Sequence, residues 1–208
     1  MEIKIFKSLK ADKKYEQAHM LFLHNDFKES EIALQKILDY YPQHLPSILL
    51  LAQIAWDQDH YQKSREYYNK ALHFYPASKE ARLWRAKSSY NLYRFEDALD
   101  DYLTLYEHSF KSIEYLLALG DVYQKLNLQI IALRYYQKAL KQGKKKVQVY
   151  IALAYQHIIM WSYKLAAEHI TQAKELYYEN KASYPQSLLE DIQQWEKTLH
   201  QLLWDWHK

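Results

Sequence analysis

An internal repeat of 34 residues constrains the fold of this 208-residue chain more than any other feature. Related quartets occur at residues 61–64 (YQKS) and 95–98 (FEDA), and aromatic–proline pairs occur at 41–42 and 75–76. Each of these spacings is 34 residues. The step defines five registers that follow one another without insertion: residues 11–44, 45–78, 79–112, 113–146 and 147–180. Such a period indicates structural units that bury their apolar faces against their neighbours.

Two positions of the register hold a small residue every time. The eighth is Ala18, Ala52, Ala86, Gly120 and Ala154, and the twentieth is Ser30, Ser64, Ala98, Ala132 and Ala166. Small residues at a contact let two helices approach closely. The seventeenth position is aromatic in four registers, as Phe27, Tyr61, Phe95 and Tyr163. Each register is therefore predicted to form two packed helices.

This pattern resembles the tetratricopeptide repeat, a helix–turn–helix unit of 34 residues. The fourth register is closest to the family pattern, with Leu116, Leu119, Gly120, Tyr123, Ala132, Tyr136 and Ala139. The resemblance implies an all-α, right-handed superhelix of five repeats over residues 11–180. Residues 1–10 would form an N-terminal extension that either packs over the first repeat or is disordered.

Residues 181–208 are predicted to form a C-terminal capping helix. An apolar stripe runs through this segment, and repeat arrays need a terminal element to cover the exposed face of the last unit. The stripe comprises Leu188, Ile192, Trp195, Leu199, Leu202 and Trp206. In the alternative interpretation, Trp204 and Trp206 stay partly exposed and form a second docking patch.

Local signals predict where the helices start and stop. Asn25, Asp59 and Asn127 fall at the turns inside the repeats, where short polar side chains tolerate left-handed backbone. Ser78 is predicted to cap the first helix of the third repeat. Gly143 is predicted to lie just past a helix C-terminus.

Composition disfavours most catalytic and nucleic-acid-binding functions. The chain has no cysteine, only two glycines and a formal charge of +3, so thiolate chemistry, phosphate-binding loops and a strong electrostatic grip on nucleic acid are not expected. Ten histidines occur without ligand spacing, and no metal or cofactor is predicted. The basic run at 141–146 is predicted to be a solvated loop. We expect no enzyme and no membrane insertion, and a cytoplasmic location by default.

In the family that this chain resembles, residues at positions two, five, nine and twelve line the groove of the superhelix. Here, positions five, nine and twelve are Tyr15, His19, Phe22, Leu49, Gln53, Trp56, Leu83, Lys87, Tyr90, Leu117, Asp121, Gln124, Ile151, Tyr155 and Ile158. We expect Phe22, Trp56 and Tyr90 to face solvent, which favours a binding groove because exposed rings add nothing to stability. His19, Gln53, Lys87 and Asp121 are predicted to hold the backbone of a ligand.

The family's carboxylate clamp for heat-shock chaperones is not expected. That clamp needs lysine, asparagine and arginine at set positions, where this chain has Tyr15, His19, Leu50, Glu80 and Trp84. The function predicted is a non-enzymatic scaffold or adaptor that binds a peptide or helix of a partner protein in the groove. The alternatives are a chaperone of secreted proteins and a structural subunit of a larger assembly, in which case self-association is expected.

Overall fold

A computed structural model describes residues 2–108, 112–142 and 147–206, and side chains between residues 10 and 204 of these ranges. The described residues are all-α and include no β-strand, as predicted. The helices are α1 (Glu2–Leu23), α2 (Phe27–Tyr40), α3 (Leu45–Asp57), α4 (Tyr61–Phe74), α5 (Lys79–Asn91), α6 (Phe95–Glu107), α7 (Ile113–Lys125), α8 (Gln129–Lys141), α9 (Val147–Ile159), α10 (Tyr163–Glu179) and α11 (Gln186–Trp206). A short 3₁₀ helix, Lys181–Ser183, precedes α11.

The helices form antiparallel-type pairs whose starts keep the 34-residue step of the sequence. The helices α3, α5, α7 and α9 begin at residues 45, 79, 113 and 147, and their partners α4, α6, α8 and α10 begin at 61, 95, 129 and 163. The first helix, α1, begins at residue 2, so residues 2–10 are its first turns. Gly143 and Lys144 to Lys146 of the basic run lie outside the described residues.

The turn inside each pair has the same backbone conformation. Its central residue is left-handed in all five pairs: Asn25 (φ 63°), Asp59 (59°), Tyr93 (58°), Asn127 (61°) and Trp161 (60°). In the first turn, the Asp26 amide donates to the Leu21 carbonyl at 2.9 Å and the Asn25 amide donates to the Phe22 carbonyl at 2.9 Å. This is the Schellman arrangement, which satisfies the last carbonyls of the helix. The Asn and Asp positions confirm the prediction, whereas Tyr93 and Trp161 were not foreseen.

Caps also fix the starts of two first helices. Ser78 Oγ accepts the Ala81 amide at 3.2 Å, as predicted for the start of α5. At the start of α3, His44 Nδ1 accepts the Ser47 amide at 3.3 Å, a cap that the sequence analysis missed. Both bonds satisfy amides that have no partner inside the helix.

The helices group into two compact units, Met1–Leu105 (unit 1) and Tyr106–Lys208 (unit 2). The core of unit 1 is built from side chains of α1 to α5, including Leu34, Ile48 and Leu51. Unit 2 has one core cluster around Tyr136 and Leu153 and a second that includes side chains of α11. The small residues at positions eight and twenty are all buried, which confirms their predicted place between helices. Within the described ranges, no helix has both the length and the apolar character needed to cross a membrane.

The last helix, α11, covers part of α10 with an apolar stripe. Leu189, Ile192 and Leu199 are buried in the second core cluster of unit 2, and Leu188, Trp195 and Leu202 pack against it. Pro185 directly precedes α11, one step earlier than its predicted place in the first turn. Trp204 is 67% exposed, whereas the side chain of Trp206 lies outside the described residues.

Candidate binding surface

Positions five, nine and twelve of each first helix form one stripe, because they are spaced by four and three residues. We call the stripes of α1, α3 and α5 the unit 1 face. It consists of Tyr15, His19, Phe22, Leu49, Gln53, Trp56, Leu83, Lys87 and Tyr90. The stripes of α7 and α9 form the unit 2 face. It consists of Leu117, Asp121, Gln124, Ile151, Tyr155 and Ile158.

On α1 the stripe is a column of stacked rings. The ring centroids of Tyr15 and His19 lie 5.8 Å apart, and those of His19 and Phe22 lie 6.0 Å apart. All three side chains are half-buried. Burial, and the charge of Glu80 nearby, raise the pKa of Tyr15, so its hydroxyl stays neutral and able to donate a hydrogen bond. His19 is therefore packed between two rings and does not stand free as a ligand to a peptide backbone.

The rings at position twelve of unit 1 do not face solvent freely. Each is half-buried and packs against the ring at position seventeen of its own repeat. The centroid distances are 5.7 Å for Phe22 and Phe27, 5.0 Å for Trp56 and Tyr61, and 5.5 Å for Tyr90 and Phe95. The expectation of solvent-facing rings without a role in stability is wrong, because each ring braces the start of the second helix. Part of each ring remains accessible.

Trp84 joins this surface, although the sequence analysis considered it only for the carboxylate clamp. Its ring meets the Trp56 ring edge-on at 5.2 Å, so the two tryptophans link α3 to α5. Lys87 Nζ lies 4.0 Å from the centroid of the Trp84 ring. Burial lowers the pKa of Lys87. The sequence signal for this contact was a tryptophan three residues before a lysine on one helix.

On the unit 2 face, Gln124 is bonded to a buried glutamine. Gln124 Nε2 donates to Gln156 Oε1 at 3.0 Å. The side chain of Gln156 is fully buried, and its Nε2 donates to the Gln129 carbonyl at 3.2 Å and to Gln129 Oε1 at 2.9 Å. Gln124 therefore belongs to an internal network that ties α7, α8 and α9 together.

Asp121, the position-nine residue of α7, is bonded to its own repeat. Tyr136 Oη donates to Asp121 Oδ1 at 2.7 Å. Asp121 as a residue is exposed, yet desolvation of its carboxyl group raises its pKa, and the hydrogen bond from Tyr136 opposes that rise. The same bond holds the Tyr136 ring over Gly120, where a Cβ atom would lie only 2.2 Å from Tyr136 Cε1. Glycine at position eight of this repeat is thus a packing requirement.

The remaining residues of the unit 2 face are largely taken up by packing. Leu117 packs against the core cluster around Tyr136, and Ile151 and Ile158 pack against the cluster that includes α11. The Tyr155 ring lies 5.1 Å from the ring of Trp195 on α11. The last helix therefore covers part of the surface that Tyr155 would offer to a ligand.

A histidine pair in unit 2 was not found from sequence spacing. The rings of His157 on α9 and His169 on α10 stack at 5.3 Å. His157 is buried, and its Nδ1 has no hydrogen-bond partner among the described residues. Burial and the charge of His169 lower the pKa of His157. In the part of the chain that the structure describes, no three His, Asp or Glu side chains are grouped closely enough to hold a metal ion.

Two clefts lie outside both faces. The larger, of 520 Å³, is lined by Ala11, Asp12, Tyr41, Pro42, Gln43, His44, Leu45, Pro46, Phe74 and Tyr75. The smaller, of 140 Å³, lies between α10 and α11 and is lined by Ala167, Ile170, Thr171, Glu196, Leu199, His200 and Leu203. Neither cleft includes a residue of the unit 1 face or the unit 2 face.

Comparison with known proteins shows the fold. No protein-family profile matches the chain, and no curated protein matches it in sequence. Among solved structures, a MamA protein is 18% identical with a TM-score of 0.74, covering 84% of this chain and 94% of its own. MamA from Desulfovibrio magneticus RS-1 (residue 41 to the end) is 16% identical with a TM-score of 0.76, covering 82% and 97%.

A third similar structure is YrrB, described as a TPR protein with an unusual peptide-binding site. It is 12% identical with a TM-score of 0.68, and the match covers 81% of this chain and 87% of YrrB. These identities are low, so the comparisons concern the fold alone. Together with the helix pairs and their 34-residue step, they confirm the resemblance drawn from the sequence. The chain is an all-α solenoid with the tetratricopeptide repeat fold.

Proposed function

We propose that this chain is a non-enzymatic interaction module that binds a peptide or helix of a partner protein on its first-helix faces. One observation carries the proposal: the unit 1 face combines partly accessible rings with the exposed Gln53 and with Lys87. Rigid aromatic side chains provide contact area at a low cost in conformational entropy. The similarity in fold to YrrB, which has a peptide-binding site, supports the same class of function.

Within this proposal, the unit 1 face is the main contact surface. In unit 2, Gln124 and Tyr155 have intramolecular partners in Gln156 and Trp195. Breaking those contacts for a ligand would offset part of the binding free energy. Leu117, Asp121, Ile151 and Ile158 are then secondary contacts. The lack of an enzymatic activity, the cytoplasmic location and the lack of nucleic-acid binding remain predictions from the sequence.

The test is capture of partner proteins from native lysate, read by mass spectrometry. We expect the wild-type chain to retain a partner that the double variant Trp56→Ala/Tyr90→Ala loses. Because both rings pack against neighbours, the double variant also loses stability, so a second variant is needed. Gln53→Arg places a bulky charge on an exposed site of the same stripe and removes no ring contact.

The matched control is Tyr93→Ala, which removes an aromatic ring that is 81% exposed at the α5–α6 turn and outside the face. Circular dichroism confirms that each variant is folded. A partner lost in Gln53→Arg and kept in Tyr93→Ala supports the unit 1 face. A partner kept by both face variants would refute the proposal.

A second candidate, a structural subunit of a larger assembly, is favoured by exposed tryptophans in unit 2. Trp161 is 77% exposed and Trp204 is 67% exposed. Large exposed apolar side chains are typical of interfaces. Light scattering tests this candidate: self-association that Trp161→Ala and Trp204→Ala abolish would favour it, and a monomer at all concentrations would disfavour it. The chaperone alternative has no structural feature of its own.

A further inference from the structure

Lys87 differs from the other cations that contact neighbouring helices of unit 1. Lys63 pairs with Glu31 at 3.1 Å, Arg65 with Asp97 at 2.6 Å and Arg85 with Asp101 at 2.6 Å. Lys87 Nζ has no carboxylate partner among the described residues and lies over the Trp84 ring instead. It is half-buried on the face that the proposed function assigns to a partner.

This placement costs free energy that an anion would recover. A cation that loses water is stabilised by a ring face only modestly, whereas a hydrogen-bonded carboxylate compensates for the loss more fully. Burial lowers the pKa of Lys87, and no anionic group contributes to oppose that effect. The apolar surroundings, Trp84 with Trp56 behind it, strengthen any charge pair formed beside them because they exclude water.

We infer that the partner segment bound by the unit 1 face carries a carboxylate side chain that pairs with Lys87, flanked by apolar side chains that contact Trp56, Trp84 and Tyr90. The inference rests on the proposed function and specifies the chemistry of its ligand. It differs from capture of a chain terminus, because a single lysine beside two tryptophans selects an acidic residue between apolar ones. The structural alternative is that Lys87 only covers the Trp84 ring with its stem.

The experiment is selection from a displayed library of random 12-residue peptides on the full-length chain. We expect the wild-type chain to enrich peptides in which Asp or Glu stands among Leu, Ile, Phe or Trp. Lys87→Met keeps the apolar stem and removes the charge, so it should enrich apolar peptides without the acidic preference. Lys87→Arg should keep that preference, and Lys63→Met, a lysine of the second helices, is the matched control.

Affinity measurements on one selected peptide give the quantitative test. Replacing its acidic residue by the amide should weaken binding to the wild-type chain roughly tenfold, the effect of one charged hydrogen bond. The same replacement should change binding to Lys87→Met by less than about twofold on the same reasoning. Lys87→Glu should reverse the selection, so that peptides with Lys or Arg at that position are enriched.

Each outcome decides between the two proposals. Enriched apolar peptides without an acidic preference, or an amide replacement that weakens binding to the wild-type chain and Lys87→Met equally, would overturn the inference and leave the proposed function standing. Failure of the wild-type chain to enrich any sequence, with circular dichroism showing it folded, would overturn both. Peptides whose acidic residue is needed only when residue 87 is cationic would support both.

Discussion

The two units build the same helix pairs but use equivalent positions differently. At position twelve, unit 1 has half-buried rings braced on the next helix, whereas unit 2 has Gln124, bonded to buried Gln156, and Ile158 in its core cluster. Position nine shows the same contrast, because Lys87 has no ion-pair partner among the described residues while Asp121 accepts a hydrogen bond from Tyr136.

The polar contacts inside the units also differ in kind. Unit 1 buries an ionic cluster in which Asp101, only 2% exposed, accepts two bonds from Arg85 at 2.6 and 2.8 Å and lies 3.4 Å from Arg82. The network of unit 2 around Gln156 is neutral. A neutral network needs less compensation for lost water than an ionic one. The position of a residue in the repeat thus sets its place on a helix, and its neighbours set whether it serves packing or binding.

The largest effect is expected from breaking the ionic cluster of unit 1. Arg85→Met leaves Asp101 buried with only the longer contact to Arg82, and removal of one partner of a buried pair costs about 3 kcal/mol or more of unfolding free energy. Urea unfolding measures the loss. Hydrogen exchange should place the loss in α4 to α6.

The control for this prediction is Arg65→Met, whose partner Asp97 has a side chain that is 48% exposed. Its loss should stay within about 1 kcal/mol, because water solvates the freed carboxylate. Equal losses for Arg85→Met and Arg65→Met would show that burial of Asp101 does not govern the stability of unit 1.

The second effect concerns unit 2 and its glycine. Gly120→Ala should lower the unfolding free energy by about 1–3 kcal/mol, because the added Cβ overlaps the Tyr136 ring. Combining it with Tyr136→Leu should recover part of the loss, since Ala18 and Leu34 occupy the same two positions in the first repeat. The control is Ala86→Gly, which tests the effect of glycine on a helix without the overlap. A Gly120→Ala variant as stable as the wild type would refute the packing requirement.

The sequence predicted the fold well because helix packing depends on residue size at fixed spacing. The small residues at positions eight and twenty, the left-handed Asn and Asp and the Ser78 cap are local features that a single register reveals. The site was harder to predict because exposure depends on contacts between elements. Nothing in the register shows that Trp56 meets Tyr61 and Trp84, or that Trp195 covers Tyr155.

A third effect should appear only in acid and only in unit 2. The folded state lowers the pKa of His157, so the unfolded state binds a proton more readily. The stabilisation is therefore present above the unfolded pKa of about 6.5 and is lost as the pH falls through the folded pKa. His157→Phe should flatten this acid limb in urea unfolding measured at a series of pH values, whereas His73→Gln on an exposed site of unit 1 should not. An unchanged acid limb in His157→Phe would exclude His157 as its source.

The smallest effect compares the two turns that hold an aromatic residue in left-handed backbone, Tyr93 in unit 1 and Trp161 in unit 2. Both rings are mainly exposed, so they contribute little packing to offset the backbone strain. Tyr93→Asn and Trp161→Asn should each raise the unfolding free energy by about 0.5–1 kcal/mol, since asparagine tolerates this conformation. Thermal unfolding of the two variants beside Asn127→Tyr, which should show the opposite change, measures the effect. If Trp161→Asn stabilises the chain and also abolishes self-association, Trp161 is retained for assembly at a cost in stability, whereas Tyr93→Asn should leave partner capture by the unit 1 face unchanged.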